Sequence, residues 1–106
     1  MAAPVKWLSP WYGVEDEAER RNLEGELRRE ICDAHVLAGE LVTLLARRGD
    51  MDEALYLLTG GRVAEVHLTW SRLREADPRW PTTVIYASVE EWAERSMLPT
   101  HAWFEP

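Results

Sequence analysis

Residues 62–70, Arg62-Val63-Ala64-Glu65-Val66-His67-Leu68-Thr69-Trp70, decide how the rest of the chain is read. Taken as a strand, the run places Ala64, Val66, Leu68 and Trp70 on one face of a sheet. Val63, Glu65, His67 and Thr69 fall on the other, because side chains alternate with a period of two. The first face is wholly apolar and must meet a core. The second is mixed and carries an acid and a histidine. Gly60-Gly61 just before it is a turn signal, and the residues before that turn are also strand-like.

Working outward, Glu53 to Leu58 reads as a strand joined to the central run by Thr59-Gly60-Gly61. Glu40 to Arg47 reads as the strand before it, across the turn Arg48-Gly49-Asp50, with a helix as the competing assignment for 40–48. Three strands linked by short turns form an antiparallel meander. Beyond the centre, Glu75 to Pro81 is a proline-bounded loop. Thr82 to Ala87, β-branched and aromatic, is a fourth strand. Ser88-Val89-Glu90-Glu91 is a capping box that opens a short helix over 89–97. Its inward residues are Val89, Trp92, Ala93 and Met97, and Pro99 is expected to end it.

On the other side, 15–34 reads as a helix with a narrow stripe of Leu23, Leu27, Ile31 and Ala34. Glu15, Asp16, Glu17 and Glu19 crowd its first turn, where negative charge suits the helix dipole. Asp16/Arg20, Glu17/Arg21 and Glu24/Arg28 are helical pairs with the acid first. Gly25 either weakens the helix or marks a close backbone approach. Residues 1–14 form an aromatic N-terminal arm with Trp7, Leu8, Trp11 and Tyr12, and 98–106 an aromatic C-terminal tail. The arm is read as tucked against its own sheet, with packing on a second copy through the aromatic termini as the alternative. The expected fold is α+β in a single domain of 106 residues. It has an N-terminal helix, a mainly antiparallel four-stranded sheet and a short C-terminal helix, with both helices on one face.

Nineteen acidic against twelve basic residues give a formal charge of −7. That argues against nucleic acid, which needs a basic face, and against anionic membranes. It fits solubility or a basic protein partner. One cysteine, Cys32, rules out an internal disulfide and fits a reducing cytoplasm. No apolar run reaches the length of a membrane span.

Four strings together resemble a group of small uncharacterised bacterial proteins: H-x-L-x-G at His35 to Gly39, D-E-A-L at Asp52 to Leu55, V-H-L-T-W at Val66 to Trp70, and S-x-x-E-W at Ser88 to Trp92. No activity is assigned to such proteins, so the resemblance implies no catalytic residue. It points to a bacterial source and towards small acidic immunity or accessory proteins.

His67 is the sharpest candidate for chemistry. It shares a face with Glu65, and an acid–imidazole pair is what a general base or metal ligand uses. The plainer reading is a hydrogen-bonded structural histidine. His35 follows the first helix, near Cys32, Asp33 and Glu30. If that helix end lies over the mixed face, Glu30, His35, Glu65 and His67 converge, and His35 with His67 could ligate a transition metal. No close-spaced ligand motif supports this, and otherwise His35 caps the helix. Cys32 with His35 reads more simply as packing than as a nucleophile and base. No cofactor is expected.

The leading functional expectation is a non-catalytic, immunity- or inhibitor-type binding module for a basic protein. Glu15, Asp16, Glu17 and Glu19 would steer the partner and Trp80, between prolines, would anchor it. A small enzyme or metal-binding domain built on His35 and His67 is the alternative.

Overall fold

The computed structural model describes residues 6–104. In chain order they form β1 (Trp11–Gly13), α1 (Glu17–Glu30), β2 (Thr43–Arg48), β3 (Glu53–Leu57), β4 (Val63–His67), β5 (Thr82–Tyr86) and a C-terminal helix. That helix runs as α2 (Val89–Trp92), a π-helical turn (Ala93–Met97) and α3 (Leu98–Phe104). The strands lie in the order β1-β2-β3-β4-β5, each antiparallel to its neighbour. The class is α+β, and the sheet has five strands rather than four.

The extra strand lies in the N-terminal arm. Trp11, Tyr12 and Gly13 pair with Arg48, Arg47 and Ala46. Trp11 is buried and Tyr12 exposed, the alternation of a strand only three residues long. Gly49 N–H also bonds the Pro10 carbonyl at 2.8 Å, extending the tie past the strand. Residues 1–5 of the arm and 105–106 of the tail lie outside the described residues.

The helices cover opposite faces of the sheet, not one. On the α1 face, Leu23 and Leu27 pack with Leu44, Ala54, Tyr56, Ala64, Val66 and Leu68, and Ile31 and Trp70 lie partly buried against them. On the other face, Trp92, Val89, Ala93 and Met97 pack with Trp11, Ala46, Leu55 and Val63. The register expected for the central strand is the one found, with Val66 fully buried beneath α1. Trp92, expected in the same cluster, belongs to the opposite one. There Trp7 and Trp11 meet its ring edge-on, with centroids 5.8 Å and 4.9 Å away.

Helix boundaries follow their caps. Asp16 caps α1 by accepting from the Glu19 amide. The helix ends at Glu30, four residues short of the expected end, because the Glu30 carbonyl is taken by the Glu75 amide at 2.8 Å. Ser88 accepts from the Glu91 amide, while the Glu91 carboxylate reaches back to the Ala87 amide at 2.8 Å. Pro99 does not stop the last helix. Proline clashes with the carbonyl four residues back in a regular ladder. The π-turn relaxes that ladder just before it, with Leu98 N–H bonding Ala93 five residues back. In the hairpin between β3 and β4, Gly60 and Gly61 both adopt left-handed φ near +80° (83° and 82°), which explains the glycine pair.

Gly25 is not a point of close approach: a Cβ built there meets only the flexible end of Arg29, at 3.6 Å. Gly25→Ala is therefore expected to raise stability by about 0.5–1 kcal/mol, read as a higher urea midpoint at unchanged slope. Destabilisation would mean that α1 has no room for a methyl group there.

Candidate functional site

The mixed face of β4 does build a polar cluster, but its centre is a pair of glutamates. The β3–β4 register sets Glu53 directly opposite His67 and diagonal to Glu65. Glu65 accepts from the Trp92 indole Nε1 at 2.7 Å and from the Ser96 hydroxyl. Glu53 faces Arg48 Nη1 at 3.5 Å and His67 Nδ1 at 3.9 Å. Arg48 is itself clamped by Asp50 at 2.7 Å.

The two carboxyl groups hydrogen-bond to each other and so share a proton. Burial, then the adjacent Glu65, pushes Glu53 up to about 8. Burial also acts on Glu65, but the hydrogen bonds it accepts from Glu53, Ser96 and Trp92 outweigh that and hold it below the usual range. The pair borders an open depression of about 220 Å³ lined by Glu53, Glu65, His67, Thr82, Thr83 and Val84. A protonated carboxyl beside an ionised one is the arrangement general acid–base chemistry uses.

A second carboxylate pair lies on the α1 face. Glu26 and Glu30 are fully buried, one helical turn apart on the same stripe as Leu23 and Leu27. Glu30 accepts from the Thr69 and Trp70 amides at 2.9 and 2.8 Å. Glu26 accepts from the Arg72 amide at 3.3 Å and from Arg29 at 2.8 Å. Trp70 and Arg72 have φ of 57° and 60°, a left-handed conformation that costs such residues on the order of 1 kcal/mol each. The buried carboxylates hold them there. Burial, then the hydrogen bond to Glu26, pushes Glu30 up to about 7.

The expected convergence of Glu30, His35, Glu65 and His67 does not occur, because the sheet lies between them. His35 is buried on the α1 face. Its Nε2 donates to the Pro81 carbonyl at 2.9 Å and its Nδ1 accepts from the Leu37 amide at 3.0 Å. Both ring nitrogens are thus engaged, in holding the Trp80–Pro81 loop rather than capping α1. Cys32 is partly buried just past the helix end. Among the described residues no group of three or more His, Cys, Asp or Glu could hold a metal ion.

The acids proposed for steering have local work as well. Asp16 is the α1 cap, Glu17 pairs with Arg21 at 3.6 Å, and Glu19 binds Arg47 at 3.1 Å and the Tyr12 hydroxyl. Glu15, Asp16 and Glu17 are exposed. Trp80 is 43% exposed, next to a groove of about 290 Å³ lined by residues that include Val36, Pro78, Arg79 and Pro81. It lies by the far end of α1 from the acids.

Glu53 and Glu26 escape a reading by residue type. Glu53 is reached by counting back from His67 across the Gly60-Gly61 hairpin. Glu26 and Glu30 fill the i+3 and i+7 positions counted from Leu23, on the buried stripe itself. No family model, curated protein or solved structure matches the chain.

Both pairs hold a proton in the folded state that an unfolded glutamate, near 4.5, has already released. Stability is therefore expected to fall as pH rises from about 4.5 to about 8. In urea titrations across this window, Glu30→Gln should remove the component ending near 7, and Glu53→Gln the one ending near 8. A midpoint that stays flat or climbs between those limits would contradict the shared protons.

Proposed function

We propose that the protein is a non-catalytic binding module, of the immunity or inhibitor kind, whose partner docks on the surface around Trp80. One observation carries the reading: a large exposed aromatic sits on a loop whose backbone is fixed in advance. Glu26 and Glu30 hold Thr69, Trp70 and Arg72, the Glu30 carbonyl holds Glu75, and His35 holds Pro81. A tryptophan that need not be ordered on binding loses less entropy and is a favoured hot-spot residue. Leu73, 72% exposed on the same loop, adds apolar area. The net charge of −7 favours a basic protein over nucleic acid or an anionic membrane and speeds its approach. The string resemblance makes a bacterial cytoplasm the expected setting. No described helix is long and apolar enough to cross a membrane.

With a partner recovered by pull-down from the source cell, Trp80→Ala is expected to speed dissociation by on the order of tenfold or more, with little change in association. Neutralising Glu15, Asp16, Glu17 and Glu19 should slow association and flatten its salt dependence. Asp16→Asn serves for the second of these, since asparagine still caps the helix.

A second reading has its own support, the shared proton of Glu53 and Glu65 in an open depression beside His67. An acid–base enzyme built there would lose turnover on Glu53→Gln or His67→Ala and keep it on Trp80→Ala. That pattern, with no partner above background, would replace the binding reading.

A further inference from the structure

The segment Thr69 to Glu75 belongs to no strand or helix. Four backbone amides fasten it to α1: those of Thr69 and Trp70 donate to the Glu30 carboxyl, that of Arg72 to the Glu26 carboxyl, and that of Glu75 to the Glu30 carbonyl. Three of the four thus end on one carboxyl pair. Between them Ser71, Arg72, Leu73 and Arg74 face solvent. Trp70 and Arg72 keep left-handed φ of 57° and 60°, a region that residues other than glycine leave once nothing holds them.

The pair itself is shut off from water, with Glu26 and Glu30 both 0% exposed and their carboxyl groups hydrogen-bonded to each other. On α1, Arg29 pairs with Glu26 at 2.8 Å, while Glu24 gives its carboxylate to the Leu44 amide. From β3, Tyr56 lies against the pair; its hydroxyl donates to the Leu23 carbonyl, and burial keeps its phenol protonated. From the segment come the three amides and the Thr69 hydroxyl, which donates to the Glu75 carboxylate at 2.8 Å. Among the described residues no cation pairs with Glu30. One cation for two touching carboxyl groups leaves a buried charge uncompensated unless a proton stays between them.

We propose that this pair is a proton-operated latch. With its shared proton it closes the Thr69 to Glu75 segment onto α1; without it the two like charges part and the segment opens while the sheet stays folded. Opening lets water reach the carboxyl groups, which then ionise as ordinary glutamates do, near 4.5, whereas the closed pair keeps its proton up to about 7. Opening within that window releases one proton, so the ratio of open to closed rises about tenfold per pH unit and levels off above it. Leu73 is displayed by this segment, so the docking surface proposed above is complete only while the latch is closed. That consequence rests on the binding reading, but the latch is a property of the chain without a partner.

Amide hydrogen exchange of the free full chain, followed by NMR from about pH 4.5 to about pH 8, tests it. After correction for base catalysis, protection at Thr69, Trp70 and Arg72 is expected to fall about tenfold per pH unit up to about pH 7 and then level off. The β3 and β4 amides should stay more protected at every pH. Glu30→Gln, which has no proton to lose, should flatten the profile of the three segment amides. Glu26→Gln, whose side-chain N–H gives Glu30 a permanent donor, should do the same and serves if Glu30→Gln does not fold. Glu53→Gln, on the other face of the sheet, should leave the slope in place. Segment protection that is independent of pH, or a slope that survives the substitutions at Glu26 and Glu30, overturns the latch. So does a loss of protection equal in the segment and in β3 and β4, which is unfolding of the whole chain. The readout needs no partner, so a flat profile sinks the latch alone and leaves the docking on Trp80 to its own test.

Discussion

A sheet covered on both faces leaves its central strands no solvent side for polar residues. β3 and β4 come close to that position: α1 covers one face, and the C-terminal helix covers the other except at the open depression beside His67. Every acid placed in the middle must then find partners inside the protein or keep a proton. Both solutions are used. Glu65 is ionised among an indole, a hydroxyl and a protonated neighbour. Glu30 spends both oxygens on backbone amides that have no strand to pair with. The two faces thus arrive separately at the same device, a pair of glutamates with one proton between them.

The order of helix, strands and helix was legible because each element's period is clean. Val66 and Leu68 lie under Leu27 as alternation in the central run requires. What periodicity could not give was the side of the sheet on which each helix lies. Alternation separates two faces without saying what covers them, and Glu65 with His67 suggested a solvated face. That face is half closed instead, by Trp92 and the two tryptophans that meet it edge-on. β1 was hidden because three residues beside a proline carry too little pattern. The continuation through Pro99 was hidden because a π-turn leaves no mark in composition. The histidines drew attention by type, yet Glu53 holds the more perturbed environment, and only a strand register reveals it.

The loop from Thr69 to Pro81 shows how a rigid surface can be built without regular secondary structure. Its charged and aromatic residues would suit a mobile segment. Its amides, however, are bound from below by a helix end, and its far end by a buried imidazole. Packing of α1 against the sheet therefore also fixes where Trp80 stands. A core substitution in that cluster would be felt at the loop, through the placement of Glu26 and Glu30.

The retained protons also bear on how this molecule presents itself to its surroundings. The formal count of −7 treats every carboxyl as ionised. Somewhat below pH 7, Glu30 and Glu53 are both held neutral by their environment, so the folded chain moves in an electric field as if two charges less negative than its composition. The acids that do project a field belong mostly to the α1 entrance and the helical surfaces, not to the sheet. Unfolding at that pH would release the two protons to the buffer and restore the full charge. The native fold is thus a less acidic object than its own sequence.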